Sequence, residues 1–229
     1  METTVADWTK YVEPVLDTLE ETYKGKGSVE LEDPFRVLIA TVISQRTREE
    51  QTTLVSNRLL AKYPDATALA DAPVDEIFKL LHGSQYPEVK APRLKEIARI
   101  LRDNFGGKVP NTIDELLSLP GVGRKTANCV LVYAFDLAAI CVDTHVHRIT
   151  NRLGWFTTKT PEQTEKALEK ILPNRYWFTI NRLMVQHGRA TCLPSVPQCQ
   201  RCPVRQWCET GTLSNQSSNK VFRDKPLKA

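Results

Sequence analysis

The chain has 229 residues, with 31 lysines and arginines against 27 acidic residues and a formal net charge of +4 at pH 7. That length can bury the core of one large domain or of two modest ones, and we expect two. So small a basic excess excludes a protein that coats nucleic acid by bulk charge, and any polyanion must meet a local basic stretch.

The sequence offers no membrane anchor. Apolar stretches such as residues 37–43 are far shorter than the roughly 20 residues of a membrane helix. The first residues lack the basic and apolar pattern of a secretory signal. We therefore expect a soluble protein of the cytoplasm or nucleoid, where its six cysteines serve as core residues or metal ligands rather than disulfides.

Apolar residues recur at helical spacing in most windows, while strand-like alternation is scarce, so the sequence predicts an all-α protein. Asp33, Thr112 and Thr160 each precede a helical pattern and are predicted N-caps. Their side-chain oxygens can accept hydrogen bonds from backbone amides that a helix start leaves unpaired. The polar residues 214–229 are predicted to form a flexible tail.

A glycine turn follows the helix that begins at Thr112 and leads directly into another helix. Two glycines around one apolar residue allow a tight turn whose amides face outward, where the next helix's dipole attracts anions. The turn is therefore predicted to bind phosphate, with an ordinary helical hairpin as the alternative. The predicted contacts are Gly121, Val122, Gly123 and Arg124.

Lys125 stands in the first turn of the second helix of this hairpin. The positive end of the helix dipole and the neighbouring Arg124 both disfavour its charged form, so we expect a lowered pKa. A neutral amine can attack a sugar carbon and form a Schiff base. The alternative is a solvated lysine that lends positive charge to a phosphate.

Asp143 ends an apolar run and precedes a segment, THVHRITNRLG, that is typical of a helix closed by Gly154. It is a predicted N-cap, and that structural role would suffice to explain it. A carboxylate held by helix amides also stays ionised, and it can stabilise a cationic sugar or help to activate a nucleophile. His145 and His147, two residues apart, point to different sides of this helix and are not predicted to bind metal.

Four cysteines lie in a proline-rich segment that cannot be one continuous helix. Four thiolates suit tetrahedral zinc or a 4Fe-4S cluster. Zinc sites usually pair two Cys-x-x-Cys knuckles, whereas this segment has one, so the spacing favours the cluster. Between Arg175 and Cys208 there are five arginines and no acid, which could offset an anionic cluster, face phosphates or form a solvated face. The predicted ligands are Cys192, Cys199, Cys202 and Cys208.

Taken together, these residues resemble the endonuclease III family of DNA glycosylases with a helix-hairpin-helix motif. The segments LPGVGRKTAN and VDTHVHRITNRLGW and the cysteine pattern occur in the family's order, and the similarity extends from about Asp33 to Cys208. The resemblance implies that Lys125 is the nucleophile, that Asp143 is the catalytic carboxylate, and that the four cysteines bind a 4Fe-4S cluster. It implies a bifunctional glycosylase and lyase that excises oxidised pyrimidines from duplex DNA and cleaves the strand by β-elimination.

The resemblance also implies an architecture. A six-helix barrel-like domain, residues 27–137, would contain the hairpin, and residues 1–26 and 138–213 would form the cluster domain. Double-stranded DNA with a damaged or abasic nucleotide would bind a monomer in the cleft between them, with the base flipped out of the stack. Side chains must then fill the gap, and by position the candidates are Gln45, Arg46, Gln85 and Tyr86, unless these are ordinary helix and loop residues.

The chain departs from the family at one point. Bacterial members usually have alanine and glutamine at positions 45 and 46, and a shorter acid in place of Glu49. Related mismatch-specific glycosylases carry arginines near this point but generally lack the hairpin lysine. A monofunctional thymine or uracil glycosylase, in which Asp143 activates water, is therefore one alternative, and a non-catalytic DNA-binding iron–sulfur protein is another. Lys125 favours the bifunctional enzyme.

Overall fold

The computed structural model describes residues 7–24 and 33–213. Within these ranges the chain is helical and contains no β-strand, so the predicted all-α fold is confirmed. No helix in these ranges is both long enough and apolar enough to cross a membrane. The predicted tail, residues 214–229, lies outside the described part of the chain.

The chain forms two compact units, one of Val29–Ala139 and one of Met1–Ser28 with Ile140–Ala229. Short 3-10 helices lie at Cys199–Arg201 and Arg205–Trp207, inside the cysteine segment. The α-helices, in chain order, are α1 Val12–Thr22, α2 Pro34–Ser44, α3 Glu49–Lys62, α4 Ala66–Asp71, α5 Val74–Leu80, α6 Pro87–Phe105, α7 Ile113–Leu117, α8 Arg124–Phe135, α9 Thr144–Leu153, α10 Pro161–Ile171 and α11 Ile180–Ala190.

The predicted N-caps are confirmed. The Asp33 carboxylate accepts a hydrogen bond from the amide of Arg36 at 2.8 Å. The hydroxyls of Thr112 and Thr160 accept from amides three residues on, at 3.4 and 3.3 Å. Each cap depends on residues within one helical turn, and for that reason the sequence alone was enough to predict it.

In the unit of Val29–Ala139, α2 lies at the centre. Its apolar residues Leu38, Ile39, Val42 and Ile43 are fully buried, and it packs against α3, α6 and α8. The residues that follow α2 are thereby brought to the start of α6 and to the turn before α8. The packing of one apolar helix thus places three short loops of this unit together.

The other unit has its own core, built from α1, α9 and α11 with the residues between them. Leu16, Ile149 and Leu183 are among its fully or almost fully buried side chains. Cys192, Cys202 and Cys208 are partly buried against this core. The cysteine segment, which has little regular structure, is therefore anchored on the apolar faces of α9 and α11.

Candidate active site

The glycine turn is a tight hairpin whose apolar residue points inward. Val122 is buried, and its amide donates to the carbonyl of Leu119 at 3.1 Å. Gly121 has a φ of +73°, which non-glycine residues rarely adopt. A β-carbon on Gly121 would also lie 2.4 Å from Cδ of Arg93. Gly121 is therefore required both by its backbone angle and by the arginine that packs against it.

Gly123 is the N-cap of α8, so Arg124 and Lys125 are the first two residues of that helix. Both are exposed. The positive end of the dipole of α8 lies at the same place. The hairpin thus presents a basic, accessible helix start, as phosphate binding requires.

Two further loops carry the predicted gap-filling residues. Arg46 and Tyr86 have left-handed φ values of +58° and +56°, and the Arg46 guanidinium lies 5.8 Å from the centre of the Tyr86 ring. The amide of Gln85 donates to the hydroxyl of Thr47 at 3.1 Å. The structure therefore brings together the two loops that the sequence identified separately.

Gln45 connects these loops to the hairpin. Its Nε2 donates to the carbonyl of Gly121 at 2.9 Å, and the Arg93 guanidinium donates to its Oε1 over a longer distance of 3.5 Å. A pocket of about 290 Å³ opens beside this contact. Its lining residues are Gln45, Arg46, Tyr86, Val89, Lys90 and Arg93.

Sequence reasoning missed Lys90 and Arg93, although both support this part of the site. Lys90 is almost fully buried and lies in register with Leu94, Ile97 and Leu101 on the buried face of α6. A lysine in line with an apolar stripe was the signal that could have found it. Arg93 lies one turn further along the same helix and gave no such signal.

Asp143 is the N-cap of α9, as predicted. Its Oδ1 accepts hydrogen bonds from the amides of His145 and Val146 at 2.8 and 2.9 Å. Gly154 ends the helix with a φ of +84°, again as predicted. Both cap bonds use Oδ1, so Oδ2 has no part in the cap. A half-buried carboxylate in this arrangement is fixed in direction by its two cap bonds.

The same helix, α9, also holds the cysteine segment. The Arg148 guanidinium donates to the carbonyl of Cys192 at 3.0 Å. Arg152 donates to the carbonyl of Leu193 at 2.6 Å and to Sγ of Cys192 at 3.4 Å. Two cations from α9 therefore meet the first predicted cluster ligand.

Cys129 and Cys141 are disulfide-bonded, so the expectation that none of the six cysteines forms a disulfide is wrong. The four predicted cysteine ligands are free thiols and line one cavity. The amide of Gly211 donates to Sγ of Cys208 at 3.4 Å, and that thiol donates to the carbonyl of Arg152 at 3.3 Å. Nε2 of His187 lies 3.7 Å from Sγ of Cys202. Burial raises the pKa of Cys208 to about 12, and burial also raises the pKa of Cys202. Thiols in such a place lose their protons when a metal centre supplies the positive charge.

The donor set therefore fits a soft metal centre. Among the described residues, no three cysteine, histidine or acidic side chains converge closely enough to hold a single metal ion. Four cysteine sulfurs are a donor set that suits either tetrahedral zinc or an iron–sulfur cluster.

Comparison with known proteins places the chain in a class. Residues 39–174 match the family model described as "HhH-GPD superfamily base excision DNA repair protein". The match covers more than half of the chain and includes the hairpin, Lys125 and Asp143. The class that this fold and site define is thus a helix-hairpin-helix protein of base excision repair.

Two relatives of known family identify the family within this class. The chain is 51% identical to endonuclease III of Thermotoga maritima over 177 residues, which cover 77% of this chain and 83% of the relative. It is 37% identical to endonuclease III of Synechocystis over 202 residues, which cover 87% and 92% of the two chains. The chain belongs to the endonuclease III family, whose members are DNA glycosylases and AP lyases.

Solved structures agree with this assignment. A structure described as a trapped endonuclease III–DNA covalent intermediate matches with a TM-score of 0.83 and 32% identity, covering 90% of this chain and 98% of that one. A thermostable thymine-DNA glycosylase matches with a TM-score of 0.78 and 24% identity, covering 90% and 97%. The second match shows the shared fold alone, so it does not favour thymine excision here.

Proposed function

We propose that this chain excises oxidised pyrimidines from duplex DNA and then cleaves the strand, with Lys125 as the nucleophile. The observation that carries the proposal is the placement of Lys125, exposed in the first turn of α8 directly after the glycine hairpin. A hairpin that binds the phosphates of a strand presents this amine to the same strand. The similarity to a trapped covalent endonuclease III–DNA intermediate supports a covalent route.

In the first half of the reaction, the neutral amine of Lys125 attacks C1′ of the damaged nucleotide. The bond from C1′ to the base breaks, and the base leaves with the electron pair and takes up a proton, while the attacking nitrogen loses one. Opening of the sugar ring moves the C1′–O4′ electron pair to O4′, which is protonated. The product is a Schiff base between Lys125 and C1′.

In the second half, the positive charge of the Schiff base acidifies the protons on C2′. Loss of one of them places an electron pair on C2′, and elimination expels the 3′ phosphate and breaks the strand. Water then hydrolyses the Schiff base and restores the amine of Lys125. All of these steps are acid–base and nucleophilic chemistry.

Asp143 is proposed to be the catalytic carboxylate. Positive charge develops on the sugar as the base departs, and a fixed carboxylate stabilises that charge. Its two backbone hydrogen bonds, from His145 and Val146, hold it in position before the substrate arrives.

The remaining predicted residues are proposed to bind DNA. Gly121, Val122, Gly123 and Arg124 would hold phosphates through the start of α8. Gln45, Arg46, Gln85 and Tyr86 would occupy the space left by the flipped nucleotide. Their convergence on two adjoining loops supports that assignment, because a single gap must be filled from one place.

We propose that Cys192, Cys199, Cys202 and Cys208 hold a 4Fe-4S cluster rather than zinc. The support is their shared cavity and the cationic and amide donors on their sulfurs. The cluster would order the cysteine segment and supply no redox step. A reducing intracellular compartment would keep these thiols available, in keeping with a place beside the chromosome.

Borohydride trapping tests the nucleophile. The wild-type protein is expected to form a covalent complex with a duplex that contains one oxidised pyrimidine, and Lys125→Gln is expected to form none. Lys79→Gln is the matched control, since it makes the same change at an exposed lysine of α5 that has no proposed role and should still trap. Trapping by Lys125→Gln at the wild-type level would refute the assignment, and base release without strand cleavage by the wild type would indicate a monofunctional enzyme.

Iron and sulfide analysis tests the cluster. A brown protein with broad absorbance at about 400 nm is expected, with iron and acid-labile sulfide in equal amounts. A colourless protein that contains zinc would contradict the proposal.

A further inference from the structure

Lys90 is a buried cation with three oxygen neighbours. Its side chain belongs to a residue only 3% exposed. Its ammonium donates to the carbonyls of Ile43 and Gln45 at 2.6 and 2.9 Å and to the hydroxyl of Thr47 at 2.9 Å. An ammonium has three donors, and these acceptors use all of them. Burying a charged ammonium costs hydration free energy that an apolar residue at this position of α6 would not lose. The contribution of the lysine therefore lies in its three hydrogen bonds.

The acceptors lie where α2 ends. The carbonyl of Ile43 is among the last four of the helix, which have no partner within it. The negative end of the dipole of α2 lies there as well. Lys90 therefore closes the end of α2 and fixes the direction in which the chain leaves it, through Gln45 to Arg46.

Thr47 extends this arrangement to the second loop. Its hydroxyl oxygen accepts hydrogen bonds from both the Lys90 ammonium and the amide of Gln85. Tyr86 follows, in a left-handed conformation at the start of α6. The Arg46 guanidinium then lies 5.8 Å from the centre of the Tyr86 ring, and both side chains line the same pocket as Lys90.

We propose that Lys90 is a positioning residue that holds residues 45–47 and 85–86 together as one preformed surface for the gap in the duplex. The inference rests on the proposed function of those residues. Left-handed backbone at two non-glycine residues persists only where the surroundings enforce it, and the hydrogen bonds of Lys90 and Thr47 do so. A surface ordered in advance enters the duplex without first losing conformational freedom.

This role has a specific kinetic consequence. Flipping an intact damaged nucleotide breaks its pairing and stacking, and the gap-filling side chains must offset that loss. A preformed abasic nucleotide has no base to extrude. Disordering the two loops should therefore slow base excision far more than it slows cleavage at an abasic site.

The test compares Lys90→Met with the wild-type full chain in single-turnover reactions. One duplex carries an oxidised pyrimidine and the other an abasic site, and 2-aminopurine next to the lesion reports flipping by its fluorescence. Excision by Lys90→Met is expected to slow by about 10- to 100-fold, with loss of the 2-aminopurine signal, while abasic-site cleavage changes much less. Lys95→Met is the matched control, because Lys95 lies on the same helix and donates to the carbonyl of Ala72, away from both loops.

Thr47→Val is a second variant, which keeps the shape of the side chain and removes the shared acceptor. It is expected to act in the same direction, and Thr47→Ser should restore excision. Folded Lys90→Met or Thr47→Val protein with wild-type excision and fluorescence would overturn the inference, and so would equal slowing on both duplexes. If the wild type neither excises the pyrimidine nor cleaves the abasic site, the proposed function fails instead, and the 2-aminopurine comparison still reports on Lys90.

Discussion

The Arg93 side chain packs directly against Gly121, so closely that a β-carbon on the glycine would lie 2.4 Å from Cδ of the arginine. The φ of Gly121, +73°, independently disfavours any other residue. Two unrelated constraints thus act on one position of the hairpin. The contact also means that α6 supports the hairpin as well as the loops at its own start.

Gly121→Ala should therefore destabilise the hairpin. The left-handed backbone alone should reduce the free energy of unfolding by about 1–2 kcal/mol, and displacement of Arg93 adds to that. Thermal unfolding measures the effect. Gly107→Ala is the matched control, since Gly107 has a similar φ of +78° but nothing lies within 4 Å of a β-carbon there, so the difference between the two variants reports the contact with Arg93. Equal melting temperatures for the two variants would contradict the prediction.

Asp143 should show separable structural and catalytic contributions. Asp143→Asn keeps a good N-cap for α9 and removes the charge, so excision should fall by about 100-fold or more with little change in stability. Asp143→Ala also removes the cap and should reduce the free energy of unfolding by about 1 kcal/mol. Single-turnover excision and urea unfolding measure the two effects. An active Asp143→Asn protein would show that the carboxylate is a cap only.

Arg152 should protect the proposed cluster. Arg152→Met removes the hydrogen bonds to Sγ of Cys192 and to the carbonyl of Leu193. Unpairing a partly buried carbonyl weakens local structure by about 1 kcal/mol. The absorbance at about 400 nm should therefore decay faster in a chelator than it does in the wild type. Arg201→Met, which removes a bond to the carbonyl of Ala190, serves as control and should decay at the wild-type rate.

Lys90 should make the free energy of unfolding depend on pH in the alkaline range. Burial, with a smaller contribution from the charge of Arg93, lowers the pKa of Lys90 from an ordinary 10.5 to about 8. At pH 7 the folded and unfolded chains both hold this proton. Between pH 8 and 10.5 the unfolded chain still holds it and the folded chain releases it, so the folded state gains stability as the pH rises.

Urea unfolding of the wild type and Lys90→Met measures this gain. Relative to the variant, the wild type should become more stable by up to about 3 kcal/mol between pH 7 and 10.5. The prediction is wrong if the difference in the free energy of unfolding between wild type and variant stays constant from about pH 7 to 10.5. It is also wrong if the wild type loses stability relative to the variant over this range.

Local patterns in the sequence determined much of the fold and of the candidate site. The caps at Asp33 and Asp143 and the end of α9 at Gly154 each depend on atoms a few residues apart, so chain order alone predicts them. The order of hairpin, aspartate and cysteines was also sufficient to indicate the family. These features were visible because their chemistry is contained in short segments.

The contacts of Gly121 with residues distant in the sequence depend on the tertiary structure alone. The bonds of Lys90 span 43 to 47 residues, and the contact from Gln45 to Gly121 spans 76. No periodicity encodes such contacts, because they arise when the apolar face of α2 packs among α3, α6 and α8. The sequence by itself determined that Gly121 lies in a tight turn, whereas the packing of those helices decided that Arg93 and Gln45 meet it there.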